Sequence, residues 1–450
     1  MGTDRSEVDP KRNLRVVAGT RVRDGQRSVT QTAPPPNSFA QDWEIPLTTW
    51  PRKIIAIVLI LATSGLLIYR TWWLFLAAWI TRARPMDPAI YERAIQYDPN
   101  NADYRFHLAQ IYNYATQHLN LDRAREEYEA TVRLNPYRSS HWVELSKFYE
   151  NEENSERSRF AMTKALETDP NYAQTHWAAA NLYVRLNDLK AADFELRRAA
   201  DLDPGYVIQV LDLVWRMYEN PELIMTTHVP NTRDGNLTAL NYFVSHKSEG
   251  GAKLAWNRLK AFETKPQDRF MYVGYLISLS QPHAAWDVFA SGLAGAGTSK
   301  PPFYNPSFDS ELMNGGFDWI TSSSDDAEVR RDTTTVKDGL ASLLVSFSGK
   351  QNVDYRQVAH LVPVAKAKNY ILKFWMKTDS ISTNEGMYVE VDGKASEKQV
   401  GTTYWQELTV PFTASSDLVQ VTLRRDPSKK FDNLLKGKVW LDGFSVTEIP

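Results

Sequence analysis

Apolar residues along this chain fall into three successive patterns, and each predicts a different kind of element. The first is an almost unbroken run. Ile54-Ile-Ala-Ile-Val-Leu-Ile-Leu-Ala62 opens a stretch that reaches Ile80, bordered by Arg52 and Lys53 on one side and Arg82 and Arg84 on the other. A helix over this run is long enough to cross about 30 Å of hydrocarbon. Arg70 interrupts it, so the span reads as residues 54–69, extended through Trp72, Trp73 and Trp79 if Arg70 snorkels or pairs. The tryptophans fit an interfacial belt. About fifty residues precede the run and no small-residue cleavage site follows it, which argues against a cleaved signal peptide. A buried core helix is the alternative reading.

The second pattern is helical. Asp98-Pro99, Asn135-Pro136, Asp169-Pro170 and Asp203-Pro204 punctuate residues 88–206. The last three prolines are spaced by 34 and 34 residues, whereas the first interval is 37, so one repeat carries a three-residue insertion. The spacing predicts a helix over 88–97, three full helical hairpins and a further first helix over 207–218. Residues 220–234, with their Pro, Thr and His, read as a loop. Helical patterning returns at Leu237. Ala255-Trp256-Asn257-Arg258-Leu259 and Ala285-Trp286-Asp287-Val288-Phe289, 30 residues apart, predict two degenerate hairpins ending near residue 293. Ala-Gly-Ala-Gly-Thr-Ser-Lys-Pro-Pro over 294–302 reads as a linker.

Beyond the linker the apolar period shortens from 3.6 to 2. Leu343-Val345-Phe347, Leu372-Phe374-Met376, Met387-Val389-Val391, Leu408-Val410-Phe412 and Val419-Val421-Leu423 alternate with polar positions, and a last strand covers 439–446. Short strands at this spacing predict an antiparallel sandwich. The expected organisation is multidomain: a disordered cytoplasmic tail (1–50), one transmembrane helix (51–82), an all-α solenoid (85–219), degenerate hairpins (220–293), the linker and an all-β sandwich (303–450).

A 34-residue period closing on proline resembles the tetratricopeptide repeat (TPR) family. Leu108-Ala109 with Tyr112, Trp142, Leu145 and Tyr149, and Ala179-Ala180 with Tyr183 fall where that family packs its first helices. Ala124 and Tyr128, Ala165, and Ala192, Leu196 and Ala199 fall on the second helices. The resemblance implies a concave groove for a protein partner, lined by Phe106, Gln110 and Asn113, then Val143, Lys147 and Glu150, then Trp177, Asn181 and Arg185. In it, Asn181 and Arg185 would hold a peptide backbone and a carboxylate. The complete Lys/Asn clamp of the chaperone-tail receptors is absent. The alternative is a spacer whose groove is filled by its own chain.

The C-terminal segment resembles galactose-binding-like jelly rolls, in particular carbohydrate-binding modules of families 4 and 9. Asn305-Pro-Ser-Phe308, Gly315-Gly316-Phe317-Asp318-Trp319, Asp338-Gly339-Leu-Ala-Ser342-Leu343, Tyr370 to Lys377, and Val439-Trp440-Leu441-Asp442-Gly443-Phe444-Ser445-Val446 carry the likeness. It implies sugar binding by aromatic platforms with polar side chains on one sheet or in end loops: Trp375 beside Lys373 and Lys377, Tyr388 and Glu390 sharing a face with Asp392, Trp405 at a strand entrance, and Arg424. The alternative for these rings is surface or interface packing. The resemblance also implies a structural calcium near the chain ends, with Asp442 and a backbone oxygen near Asn305 as ligands. The alternative for Asp442 is a cap on the last strand. Arg424-Arg425-Asp426 and Lys429-Lys430-Phe431-Asp432-Asn433 read as a polar loop before the last strand, either solvated or a dock for an anionic polysaccharide or phosphate headgroup.

Composition narrows the function. The net charge of −2 supplies no basic field to recruit nucleic acid. The absence of cysteine removes disulfides, thiol catalysis and zinc-thiolate sites. No His-Glu-x-x-His, phosphate loop, Gly-x-Ser-x-Gly or dinucleotide fingerprint occurs. His107, His141 and His176 fall within the helical repeats, and Asn236-Leu-Thr238 matches a glycosylation sequon. The whole arrangement resembles bacterial membrane-anchored TPR proteins that end in such a module and accompany exopolysaccharide or O-antigen machinery. The expectation is a non-catalytic, single-pass inner-membrane adaptor with most of its mass in the periplasm. The alternative is a scaffold subunit of a membrane complex whose sandwich touches only protein.

Overall fold

The computed structural model describes residues 49–83, 85–291, 293, 303–431 and 433–450. The expectations for the N-terminal tail up to residue 48 and for the linker lie outside the described residues. Two compact units divide the chain after Trp73. A single helix, α1 (Trp50–Thr81), accounts for the described part of the first; it is 32 residues long with a mean hydropathy of 2.1 over its most apolar window. Ile55, Leu59, Leu66 and Ile68 are all exposed along it. It is long and apolar enough to cross a membrane.

The second unit, from Leu74, takes in the end of α1 and continues with α2 (Pro88–Tyr97), α3 (Ala102–Tyr114), α4 (Leu121–Leu134), α5 (Ser139–Asn151), α6 (Ser155–Thr168), α7 (Ala173–Arg185) and α8 (Leu189–Leu202). The same device starts each second helix. Asn120, Asn154 and Asp188 accept the amide N–H of Arg123, Arg157 and Ala191, which stops the preceding turn and sets the hairpin. Alanines with no exposed surface, among them Ala109, Ala124, Ala161, Ala179 and Ala192, let neighbouring helices approach closely. The insertion seen in the 37-residue interval is local. Residues 115–120 join α3 to α4 through a 3-10 turn at Thr116–His118, where the next two hairpins need only 152–154 and 186–188.

The ladder continues through α9 (Val207–Tyr218), α10 (Pro221–Thr227), α11 (Arg233–Ser245), α12 (Glu249–Leu259), α13 (Pro266–Ser278) and α14 (Pro282–Ala290). The loop expected over 220–234 is corrected: it contains α10. Asn220 caps the Leu223 amide, Pro221 occupies the first helical turn, and Ile224 and Met225 are buried. A proline read as a breaker was a helix start. The fourth first helix thus has a short second helix of its own. The sequon at Asn236 is also corrected, because that side chain is fully buried and donates to Asn231 Oδ1 at 3.1 Å.

Among the described residues ten strands follow: β1 (Ile320–Thr321), β2 (Ala327–Asp332), β3 (Ser342–Ser348), β4 (Tyr355–Pro363), β5 (Asn369–Ile381), β6 (Tyr388–Val391), β7 (Lys394–Ala395), β8 (Gly401–Thr413), β9 (Leu418–Arg425) and β10 (Lys436–Ile449). They form two five-stranded antiparallel sheets, β1-β4-β9-β6-β7 and β2-β3-β10-β5-β8. Leu343, Val345, Phe374, Met376, Val389, Val391, Val421 and Leu423 meet between them in one core. The alternate positions of each strand therefore face outward.

Helices and sandwich share apolar packing. Phe317 is buried in the core of the last helices, with Tyr304, Met313, Leu361 and Leu418 packed against it. Phe289 of α14 meets the Tyr304 ring at 5.2 Å and the Phe317 ring at 5.8 Å, and Trp286 meets Phe317 at 5.3 Å. Arg269 of α13 is buried beneath them and donates to the Phe289 carbonyl at 2.9 Å. A β-carbon on Gly316, whose φ is +64°, would come within 2.5 Å of the Phe289 ring. The sandwich therefore caps the ladder.

Candidate functional site

Two surfaces combine shape with chemistry. The first lies on the ladder, in a groove of about 580 Å³ between α3, α5 and α7. Phe106, Gln110, Val143, Lys147, Trp177, Asn181 and Arg185 line it, together with Ser139, Ser140, Glu144, Tyr172, Gln174, Thr175 and Ala178. The second group is largely one that repeat positions alone did not indicate. Most of it, Ser139, Ser140, Tyr172, Gln174 and Thr175, comes from the residues that open α5 and α7. Asn113 is not among the lining residues and sits half-buried beside Tyr128.

The groove's charges are already spent. Arg185 donates through Nε and Nη2 to both oxygens of Glu150, and Lys147 pairs with Glu144 at 2.7 Å. The bond to Glu150 also raises the Arg185 guanidinium above its ordinary value. Asn181 Nδ2 donates to its own helix at the Trp177 carbonyl, 2.7 Å away. The expected role of Arg185 as a free carboxylate holder is therefore corrected, because Glu150 holds it first. What remains for a partner is an apolar and aromatic floor with amide and hydroxyl groups at its rim.

The second surface is the outer face of the β4-β9-β6 sheet. Register places Arg424 opposite Tyr388, Thr422 between Ala359 and Glu390, and Gln420 opposite Leu361. Arg356, Glu390, Asp392, Gln420, Thr422 and Arg424 line a cleft of about 350 Å³ there. Arg424 Nη1 lies 3.2 Å from both Glu390 oxygens, and the Tyr388 hydroxyl donates to Asp426 at 2.9 Å. Burial would raise the Asp426 carboxyl, but Tyr388, Lys398 and Arg424 outweigh it and hold it below the usual range. Burial and that same carboxylate push the Tyr388 phenol up. The cleft offers interleaved donors and acceptors, the pattern that hydroxyl-rich ligands need. At its other end Leu418 also lines a second cleft of about 410 Å³, shared with Ile277, Ser280, Pro282, Lys366 and Asp417. The last helical hairpin thus walls one end of the polar face.

Trp375 and Trp405 stand on the other sheet, apart from Tyr388, Glu390 and Arg424. Trp375 pairs with Glu407 of β8 and Asp442 of β10, on the outer face of the opposite sheet. Both rings are half-buried. The Lys337 ammonium sits 4.0 Å from the centre of the Trp375 ring, so a sugar would have to displace it. Tyr388 is buried rather than displayed.

The expected place of Arg425 in a polar loop is corrected, because Arg425 is the last residue of β9. It continues the inward set Val419, Val421 and Leu423 and is wholly buried, where it donates to Asn352 Oδ1 and the Val353 carbonyl at 2.7 Å and to Thr383 and the Asn433 carbonyl at 3.2 Å. Period 2 was the signal that could have found it.

The calcium expected at Asp442 does not fit the residues present. Asp442 Oδ2 accepts the Lys337 and Asp338 amides at 2.8 and 2.9 Å, and Oδ1 accepts the Gly443 amide at 2.8 Å. The Asn305 carbonyl accepts the Trp319 indole N–H at 3.0 Å. Among the described residues no group of three or more His, Asp or Glu side chains could hold a metal. Burial raises the Asp442 carboxyl despite these amides. The carboxylate pins the 337–338 turn to the last strand.

A helical-repeat array followed by a jelly-roll sandwich defines the class of this protein. Family comparisons agree with both halves. Residues 142–172 and 173–206 match the tetratricopeptide repeat, and residues 301–425 match the carbohydrate binding domain of families 4 and 9. Such domains are generally non-catalytic; the repeats suggest protein interaction and the module carbohydrate binding. No curated protein matches. Among solved structures the chain is similar to two of MamA, each at 14% identity, covering 38% and 43% of this chain and 82% and 88% of the other, with TM-scores of 0.25 and 0.27. It is likewise similar to Pseudomonas aeruginosa PilF at 14% identity, 42% and 89% coverage and a TM-score of 0.25.

Proposed function

We propose that this chain is a non-catalytic adaptor anchored by α1, which holds a protein partner in its repeat groove and a glycan on the polar face of its sandwich. Envelope or exopolysaccharide assembly or export at a bacterial inner membrane is the setting that suits such a pairing, with the repeats and sandwich in the periplasm. The observation that carries the reading is the cleft of Arg424, Glu390, Gln420 and Thr422, whose side chains alternate donors with acceptors on a rigid sheet. Affinity electrophoresis of residues 83–450 through gels containing neutral and acidic bacterial polysaccharides tests it. Retardation by at least one polysaccharide, weakened about tenfold or more by Arg424→Ala, is the expected result. Unretarded migration in every gel would leave the sandwich without a glycan.

One observation favours a second reading. Tyr388 is the aromatic residue of this face, and it is buried and tied to Asp426. A sandwich that contacts only protein, within a scaffold for a membrane complex, needs no stacking platform. Co-purification of a membrane complex that survives Arg424→Ala, with no retardation in any gel, is its signature.

A further inference from the structure

Arg425 does more than fill the sandwich. Its guanidinium ties residues 352–353, Thr383 and Asn433 to the end of β9, so the segment leading into β10 springs from a pinned base. Ser428 strengthens that base, since its amide donates to Asn352 Oδ1 at 2.9 Å and its hydroxyl to Asn384 at 2.7 Å. The Ser382 hydroxyl adds a bond to the Leu434 carbonyl at 2.7 Å. From this base Phe431 projects with 104% of its reference surface exposed, more than any other large apolar side chain described. Leu434 is 47% exposed beside it, and Lys429, Lys430 and Lys436 are exposed around them. The carboxylates of the adjoining loops are paired: Asp354 with Arg356, and Glu385 and Asp426 with Lys398. Asp432 follows Phe431 in the sequence, which still leaves an excess of positive charge across 429–436.

We propose that this tip docks on an anionic phospholipid bilayer, Phe431 and Leu434 entering the interface while the three lysines meet the headgroup phosphates. A fully hydrated ring is unfavourable in water. Apolar side chains ringed by lysines match an anionic interface in both respects. A sugar platform instead needs a polar wall beside the ring, and Phe431 stands clear of any. The proposal rests on α1 lying in the bilayer: a chain held there keeps the lipid surface at high local concentration, so a small patch suffices.

The chain contains no cysteine, so one introduced thiol reports one place. Asn433→Cys carries an environment-sensitive dye beside the tip, and Gly65→Cys, where a side chain meets nothing within 4 Å, carries it on α1. The full chain is placed in nanodiscs of phosphatidylcholine alone or with one third phosphatidylglycerol. The expected result is a blue-shifted, quencher-protected dye at residue 433 only with the anionic lipid. Each lysine contributes about fivefold to partitioning onto an anionic leaflet, so Lys429→Glu with Lys430→Glu should lower the docked fraction relative to the free by well over tenfold. Phe431→Ser should also lower it. Equal emission and equal quenching in both nanodiscs, with the residue-65 dye embedded, overturns the proposal. A water-exposed residue-65 dye overturns the anchor instead. The tip is then judged by co-sedimentation of the chain with phosphatidylglycerol vesicles: retention that falls with Phe431→Ser upholds it, and none refutes it.

Discussion

Gly316→Ala tests whether helices and sandwich form one cooperative body. The residue holds a left-handed φ of +64° against the ring of Phe289, and a β-carbon there would lie 2.5 Å from it. Holding alanine in that conformation costs about 1 kcal/mol. Forcing the ring aside in a packed junction costs a further ~1–3 kcal/mol. Phe289 cannot yield freely, because its neighbours are Phe270, Trp286, Tyr304 and Phe317 and its carbonyl holds buried Arg269. The total of about 2–4 kcal/mol falls on the junction alone. Differential scanning calorimetry of residues 83–450 should show a single transition in the parent. In the variant the first transition should come about 3–5 °C lower and begin to separate from the second. Gly274→Ala is the control: it lies on α13 with open space around it and should be neutral or slightly stabilising. A Gly316→Ala transition that stays single and within about 1 °C of the parent refutes the shared core.

Two further perturbations address the sandwich core and the groove. His360 is wholly buried between Phe303 and Trp319, and burial lowers its pKa to about 4 from the ordinary 6.5. A group with a depressed folded value stabilises in full above pH about 6.5 and loses that contribution as the pH falls through about 4. Roughly 3 kcal/mol should therefore disappear across this window in urea titrations, and His360→Gln should flatten the dependence. His141, lowered to about 4 by burial and by Arg138, adds in the same direction, so a residual slope is expected. In the groove, Trp177→Ala should cut recovery of a co-purifying partner by tenfold or more, whereas Arg185→Ala should change it less than about threefold because Glu150 already neutralises that cation. Quantitative mass spectrometry of the purified complex measures both, and the reverse ranking would show that charge governs the groove.

The local rules that the chain obeys made much of the fold readable. Helices α2 and α9 begin and end where periodicity and the Asp/Asn-Pro turns predict, and the strand triplets are the inward faces of the two sheets. The misreading at 220–234 came from weighing Pro221 as a breaker without Asn220 as its cap. Site residues were harder for a different reason. Period 2 assigns a residue to a face of its own strand, but not that face to one of the two sheets. Trp375 and Tyr388 therefore satisfied the same pattern on opposite sides of the sandwich. Self-pairing was equally hidden. Glu150 and Arg185 are 35 residues apart, about one repeat, and only the stacking of hairpins brings them together.

The shared core changes what a ligand on either surface can do. Leu361 and Leu418, which pack against the last helices, lie in the same outward rows as Gln420 and Thr422. A polymer bound along the β4-β9-β6 face therefore runs into the wall made by Ile277, Ser280 and Pro282. The helical wall at that end limits how far a bound chain can extend. Repeat arrays transmit position through nearest-neighbour packing. A partner held by Trp177 and Phe106 and a glycan held by Arg424 would thus sit on one continuously packed body. Orientation, not proximity on a flexible tether, is what the adaptor would contribute, and loosening the junction at Gly316 should impair joint capture of the two ligands while leaving each single affinity intact.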